Sequence, residues 1–192
     1  MKNMIFGIIT LIAFVSLQSF TTHTPPVDGP TEITASNIVW KGYKVTGSHT
    51  GTLGLKSGSL TFDNDALTGG EFVIDMASLA CTDLTGDYAA KLDGHLKSDD
   101  FFGVEKFPSA ALKITDVDAT GKNSYTVTAD LTIKGITKPV TFDASIYGQK
   151  ATANLKIDRT LYDVKYGSGS FFEGLQDNLI YDEFDLVIDL EF

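Results

Sequence analysis

Polar and apolar residues alternate along most of this chain. Between Ser124 and Lys134, Tyr125, Val127, Ala129, Leu131 and Ile133 share one face. Thr126, Thr128, Asp130, Thr132 and Lys134 share the other. A period of two is the mark of a strand with one buried side. The same alternation runs through Val140–Tyr147, Ala151–Asp158 and Asn178–Phe192, with Gly135 and Gly148-Gln149-Lys150 as breaks. In the last of these, Phe184, Leu186, Ile188, Leu190 and Phe192 oppose Asp185, Asp189 and Glu191. Upstream, Ile38–Val45, Thr50–Phe62, Leu67–Met76 and Ala110–Ile114 read as strands too. Apolar parity switches between Leu55 and Leu60, and a bulge or sharp coil at Gly58 would account for it. One stretch breaks the period. In Thr82–Lys97, Tyr88, Leu92 and then His95 or Leu96 recur every three or four residues, and Ala89 to Leu92 favour helix.

About eight strands with tight turns predict an all-β antiparallel barrel or sandwich, with one short helix between strands three and four. A meander closes most easily as an up-and-down barrel. At eight strands the interior is either filled by side chains or holds one small ligand. The last strand, read as Asn178–Phe192, would span ~50 Å, more than side chains alone need to fill.

The chain has 192 residues, which suits one domain. Its start changes that count. Lys2 precedes an apolar run from Met4 to Leu17, shorter than the ~20 residues of a membrane-spanning helix. Residues 1–22 are therefore expected to be a signal peptide and 23–31 a proline-rich linker, with the barrel over 32–192. The expected location is periplasmic or secreted, with no stable membrane span after cleavage. The formal net charge is −10, which disfavours nucleic acid and anionic membrane surfaces. The only cysteine, Cys81, excludes an internal disulfide, and no basic residue adjoins it in sequence to activate its thiol.

Chemistry-bearing motifs are sparse. His95 and Asp99 have helical spacing for two metal ligands, with His49 or Asp100 as a third, but a bare pair is a weak motif and no metal is expected. Asp63-Asn64-Asp65 opens like a calcium loop, yet Leu67 and Ile74 occupy positions that need ligands. No nucleophile elbow occurs, and Tyr166-Gly167-Ser168-Gly169-Ser170-Phe171 follows no βαβ pattern. An enzyme is not expected. Arg159 is the only Arg, against 14 Lys. Two roles fit it: a fixed structural donor, the commoner use, or a clasp for a ligand's polar head.

The segment His95-Leu96-Lys97-Ser98-Asp99-Asp100-Phe101-Phe102, followed by Glu105-Lys106-Phe107-Pro108, closely resembles the signature of the YceI-like, polyisoprenoid-binding family. Other pieces match in order: Trp40-Lys41-Gly42 with Gly47–Gly51, Gly70–Leu79, Tyr125–Val140, Ile157–Thr160 and Tyr181–Phe184. The resemblance runs from about Ala35 to Phe192. Asp93-Gly94 and Gly103 depart from the family's usual residues, and the loop from Gly167 to Gln176 is poorly matched. The family implies an extended, lipocalin-like eight-stranded barrel, export, and a long apolar ligand such as a polyprenol, isoprenoid quinone or fatty amide. It brings no catalytic residues and no cofactor beyond that non-covalent lipid.

The expected wall comprises Trp40, Phe62, Phe72, Leu131, Ile133, Phe142 and Leu155, the aromatic anchors Phe101, Phe102 and Phe107, and Arg159. A barrel with a filled interior, acting through its surface as an interaction or stress-response module, is the alternative. The sequence leaves a homodimer open.

Overall fold

The computed structural model describes residues 29–192. The expected signal peptide and most of the expected linker lie outside the described residues. The described chain forms β1 (Gly29–Glu32), β2 (Ala35–Lys44), β3 (Gly47–Asp63), β4 (Ala66–Cys81), α1 (Gly86–Lys97), β5 (Ser109–Ala119), β6 (Ser124–Ile133), β7 (Ile136–Tyr147), β8 (Lys150–Asp158) and β9 (Ile180–Glu191). The sheet order is β1-β3-β2-β9-β8-β7-β6-β5-β4, and β3 also pairs with β4, which closes the ring. β1 pairs with Ser59–Phe62 of β3 and β2 with Gly47–Leu53. The two therefore occupy one barrel position in succession. The result is an eight-stranded antiparallel barrel with one helix between its third and fourth staves, the closed form of the two architectures that the alternation allows and the one that the family resemblance implies.

Turn chemistry explains the meander. Asn64 and Asp65 have φ of 47° and 63°, and Lys134 and Gly135 have 50° and 74°. Two consecutive positive φ values give the turn whose twist matches antiparallel strands. The calcium-like segment is thus a hairpin turn.

Four boundaries differ from the sequence reading. Residues 29–31 sit in β1 rather than in a linker, because Gly29 to Glu32 find backbone partners along β3. The parity switch falls at Lys56, not Gly58: Leu55 faces Ile74 and Ser57 faces Val73, leaving Lys56 unpaired. α1 starts at Gly86, because Thr85 is still extended. β9 starts at Ile180, because Gln176–Asn178 makes a short 3-10 turn; its 12 residues span ~40 Å. β4 also carries a larger irregularity. Gly54 pairs with Asp75 while Thr52 pairs with Ala80, so Met76 to Leu79 bow out. Ser78 holds the bow, its Oγ accepting from Gly54 N–H and donating to the Asp75 carbonyl, each at 2.6 Å.

The core divides along the barrel axis. One cluster, including Leu60, Phe62, Leu67, Tyr125, Val127, Ile146 and Phe192, closes the end that carries the β3–β4, β5–β6 and β7–β8 turns. Phe62 and Phe192 meet there with ring centroids 5.3 Å apart. The other cluster packs Trp40, Met76, Leu79, Leu96, Phe101 and Tyr162 at the helix end.

Trp40 depends on its neighbour. It pairs with Gly51 across β2 and β3, and its ring lies over that glycine. A Cβ on Gly51 would stand 2.5 Å from Trp40 Cζ2 and collide with the Ala80 carbonyl oxygen. Gly51→Ala is expected to destabilise the barrel by about 1–3 kcal/mol through overpacking. Urea unfolding measures the loss, and emission from Trp40, the only tryptophan, should shift with it.

The outer face is polar and laced across strands. Asp185 on β9 accepts hydrogen bonds from Lys156 of β8 and Tyr43 of β2. The Lys156 bond, then the Tyr43 bond, hold its carboxyl below the usual carboxylate range, against the opposing effect of burial. Such a group adds stability above its unfolded pKa, ~3.9, and loses it as pH falls through its lower folded value. Wild type should therefore exceed Asp185→Asn in urea midpoint at pH 6. The gap should narrow below pH ~4 and vanish near pH ~2.

Candidate functional site

Strand alternation sends one set of side chains inward, and that set is almost wholly apolar. On β6 two of these residues, Val127 and Ala129, are 0 % exposed. Elsewhere Leu53, Ile74, Phe102, Phe142, Phe184, Leu186 and Ile188 also point inward, yet each remains only half-buried. They are accessible because they line space. Two chambers occupy the barrel axis, of about 330 Å³ at the helix end and about 110 Å³ deeper in. Leu53, Ile74, Leu131 and Leu186 line both. The wall along β9 runs from Ile180 to Leu190, about 33 Å of strand. Small inward residues make the room: Ala110 at the outer chamber, and Ala144, Ala151 and Ala153 at the inner one.

The helix and its exit close one side of the outer chamber. α1 ends in a tight hydrogen-bonded coil, with Ser98 Oγ donating to the His95 carbonyl at 2.8 Å and Gly103 N–H to the Ser98 carbonyl at 2.8 Å. Gly103 has φ of 57°, a conformation that favours glycine. This coil turns Phe101 inward, 5 % exposed, and sets Phe102 on the chamber wall. Phe101 stands edge-on to Phe102 at 5.6 Å and to His95 at 5.4 Å; His95 meets Tyr166 at 4.5 Å. Tyr166 and Tyr181 are about half exposed and mark where the chamber meets solvent.

Arg159 anchors this opening. It is 3 % exposed. Its Nε donates to the Tyr181 carbonyl at 3.1 Å, Nη1 to that of Val164 at 2.7 Å and Nη2 to that of Ile180 at 3.1 Å. Asp182 Oδ1 lies 3.6 Å from Nη2, an ion pair without a hydrogen bond, and the guanidinium covers the Phe101 ring at 5.4 Å. Burial lowers the guanidinium pKa, while Asp182 and Asp158 oppose the shift; an Arg stays charged regardless. Its donors hold backbone, which is the structural role, even though the side chain also borders the outer chamber.

Of the eleven expected wall residues, Trp40, Phe101, Phe102, Leu131, Ile133 and Arg159 line the outer chamber. Phe72, Phe142 and Leu155 line the inner one. Phe62 lines neither; it plugs the far end. Phe107 lines neither; it lies half-buried over Gly103 and Gly135. The sequence reading missed His95, Tyr166, Met76 and Phe184, all on the outer wall. The spacing of His95 to Leu92 already puts both on one helix face, but it does not say that this face meets the chamber. Tyr166 belongs to an irregular loop and gave no signal. Asp99, the candidate metal partner of His95, accepts from Lys106 at 2.6 Å, while His95 packs against Phe101 and Tyr166. Cys81, 9 % exposed, donates its S–H to Asp83 at 2.9 Å. Burial and that bond push its thiol pKa up, the opposite of an activated nucleophile.

An antiparallel eight-stranded barrel with an apolar axial cavity open beside a lone helix defines a lipocalin-like binding fold. Residues 31–192 match the YceI-like domain, and the chain belongs to that family. A UPF0312 protein of Photorhabdus laumondii is 40% identical over 94 residues, 48% of this chain and 45% of that relative. One of Pseudomonas putida is 36% identical over 92 residues, 48% of this chain and 46% of its own. The matched region thus spans about half the length of these curated relatives. Among solved structures, BcnA of Burkholderia cenocepacia superposes with a TM-score of 0.64 at 23% identity, over 81% of this chain and 94% of that one. A polyisoprenoid binding domain from Saccharophagus degradans gives 0.57 at 19% identity, over 86% and 99%. At these identities the likeness establishes the fold.

Arg159→Ala would leave the buried Oδ1 of Asp182, whose other oxygen accepts from Ser170, and three backbone carbonyls without their partner. A loss of about 3–5 kcal/mol in unfolding free energy is expected. Arg159→Lys should recover only part of it, because an ammonium cannot reproduce the planar fork.

Proposed function

We propose that this protein is an exported carrier that holds one long apolar amphiphile inside its barrel. The ligand class is a polyprenol, an isoprenoid quinone or a fatty amide. One observation carries the reading: inward apolar side chains stay half-exposed around two adjoining chambers, which share Leu53, Ile74, Leu131 and Leu186 along the barrel axis. A filled barrel would bury them, so the surface-module alternative is the weaker reading. The Saccharophagus domain, described as polyisoprenoid binding, lends the ligand class support. Export rests on Lys2 and the apolar run from Met4 to Leu17.

The physics needs few polar contacts. Each square ångström of apolar ligand surface taken from water is worth ~25 cal/mol, so a chain supplies its own affinity. The polar fringe of Tyr43, Lys44, His49, His95, Tyr181 and Glu183 around the outer chamber leaves the ligand's head near solvent and fixes its direction.

Mass spectrometry of an organic extract from purified, exported protein tests the reading. A co-purifying isoprenoid or similar lipid is expected. Added polyprenol or quinone at about 100 times Kd should add ~2.7 kcal/mol, a Tm rise of roughly 5–10 °C for a domain of this size. Ala153→Phe, which fills the inner chamber, should lower lipid occupancy while the fold persists. A barrel that is always empty and gains no thermal stability from either lipid would overturn the carrier.

A further inference from the structure

One side-chain cluster beside the outer chamber gathers three different metal-binding atoms. His49 lies near the start of β3, Cys81 ends β4, and Asp83 follows in the connector to α1. Asp83 is central: its Oδ2 lies 3.1 Å from His49 Nδ1, and its Oδ1 accepts from Cys81 Sγ at 2.9 Å. The ligand atoms of all three lie within 4.8 Å of one another.

The backbone does not require these contacts. Gly51 already pairs with Cys81, and Thr82 N–H donates to the Thr50 carbonyl at 2.9 Å, so the two strands are held without them. Nor is the cluster arranged as a nucleophile and its imidazole base, because the Cys81 S–H donates its hydrogen bond to the Asp83 carboxylate and not to His49. Cys81 is instead braced from behind, its N–H donating to Asp93 Oδ1 of α1 at 2.7 Å. The side chains of His49 and Asp83 are 29% and 31% exposed, which gives an ion a way in.

We propose that His49, Cys81 and Asp83 form a binding site for a zinc-class divalent cation. Imidazole nitrogen, thiolate sulfur and carboxylate oxygen are the donors such an ion takes, and three protein ligands leave a fourth position for water. At metal–ligand distances of ~2.0–2.3 Å, tetrahedral ligands stand about 3.3–3.7 Å apart, so the 2.9 and 3.1 Å separations need to open by about half an ångström, and the remaining pair, within 4.8 Å, to close by at most about 1–1.5 Å. Binding exchanges the S–H···O hydrogen bond for a metal–sulfur bond. The thiol proton leaves to solvent, the ion keeps its charge, and no electron moves. Because His49 also borders the outer chamber, the ion would pin one side of the opening, tying β3 to the connector before α1.

Cobalt(II) titration of the full chain, with zinc as competitor, tests the site. One equivalent should bind with a thiolate-to-cobalt charge-transfer band, zinc should displace it, and zinc should raise Tm. His49→Ala, at a partly exposed position, and Cys81→Ser, which keeps a hydroxyl for Asp83, should each weaken zinc by at least tenfold. Cys81→Ser should also abolish the band. Absence of the band in wild type, or undiminished zinc affinity in either folded variant, would overturn the site. Because neither readout involves lipid, failure of the carrier reading leaves this one standing, and the reverse holds too.

Discussion

The open end of the barrel is organised around one buried guanidinium. Arg159 sits where β8 ends and the chain leaves the sheet for more than twenty residues before β9. A segment of that length has many backbone groups to satisfy and little ladder to satisfy them. Arg159 bonds the carbonyls of Val164, Ile180 and Tyr181 from a single fixed fork. That brings the irregular loop back onto the start of β9 and leaves Tyr166 against His95. Its flat face also covers Phe101, so the connector after α1 is held by the same group. Lysine, common elsewhere on this surface, has neither the geometry nor the face for it.

With that end fixed, the interior follows from strand alternation and side-chain size. Large rings close the far end at Phe62 and Phe192. Alanines at 144, 151 and 153 then leave the middle underfilled. An apolar void of this kind is costly in an ordinary core, since each missing contact is lost dispersion and hydrophobic burial. A site that takes an apolar chain recovers those contacts when it is occupied.

Strand identity and the single helix were legible because period two and a three-to-four spacing are distinct in this chain. Barrel closure was legible because the turns are short. Boundaries were less so. The bulge at Lys56 moved away from Gly58 because Gly58 serves close packing instead: a Cβ there would stand 2.7 Å from the Phe72 ring. Phe62 and Phe107 share the inward parity or aromatic character of true wall residues, and only their height in the barrel separates plug and cover from wall. Sequence periodicity carries no information about height. The cluster of His49, Cys81 and Asp83 was invisible for a related reason, since His49 reaches the other two only through the register of β3 on β4.

That register also ties the polar cluster to the opening of the barrel. β3 places Gly51 beneath Trp40 and His49 two residues earlier, on the edge of the outer chamber and next to Asp83. α1 answers from the other side, with Asp93 on the Cys81 backbone, His95 on the aromatic rim and Leu96 in the core. One helical turn therefore touches the polar cluster, the opening and the packed interior at once. A shift in α1 large enough to widen the opening would also disturb the Asp93–Cys81 bond and the His95–Tyr166 contact.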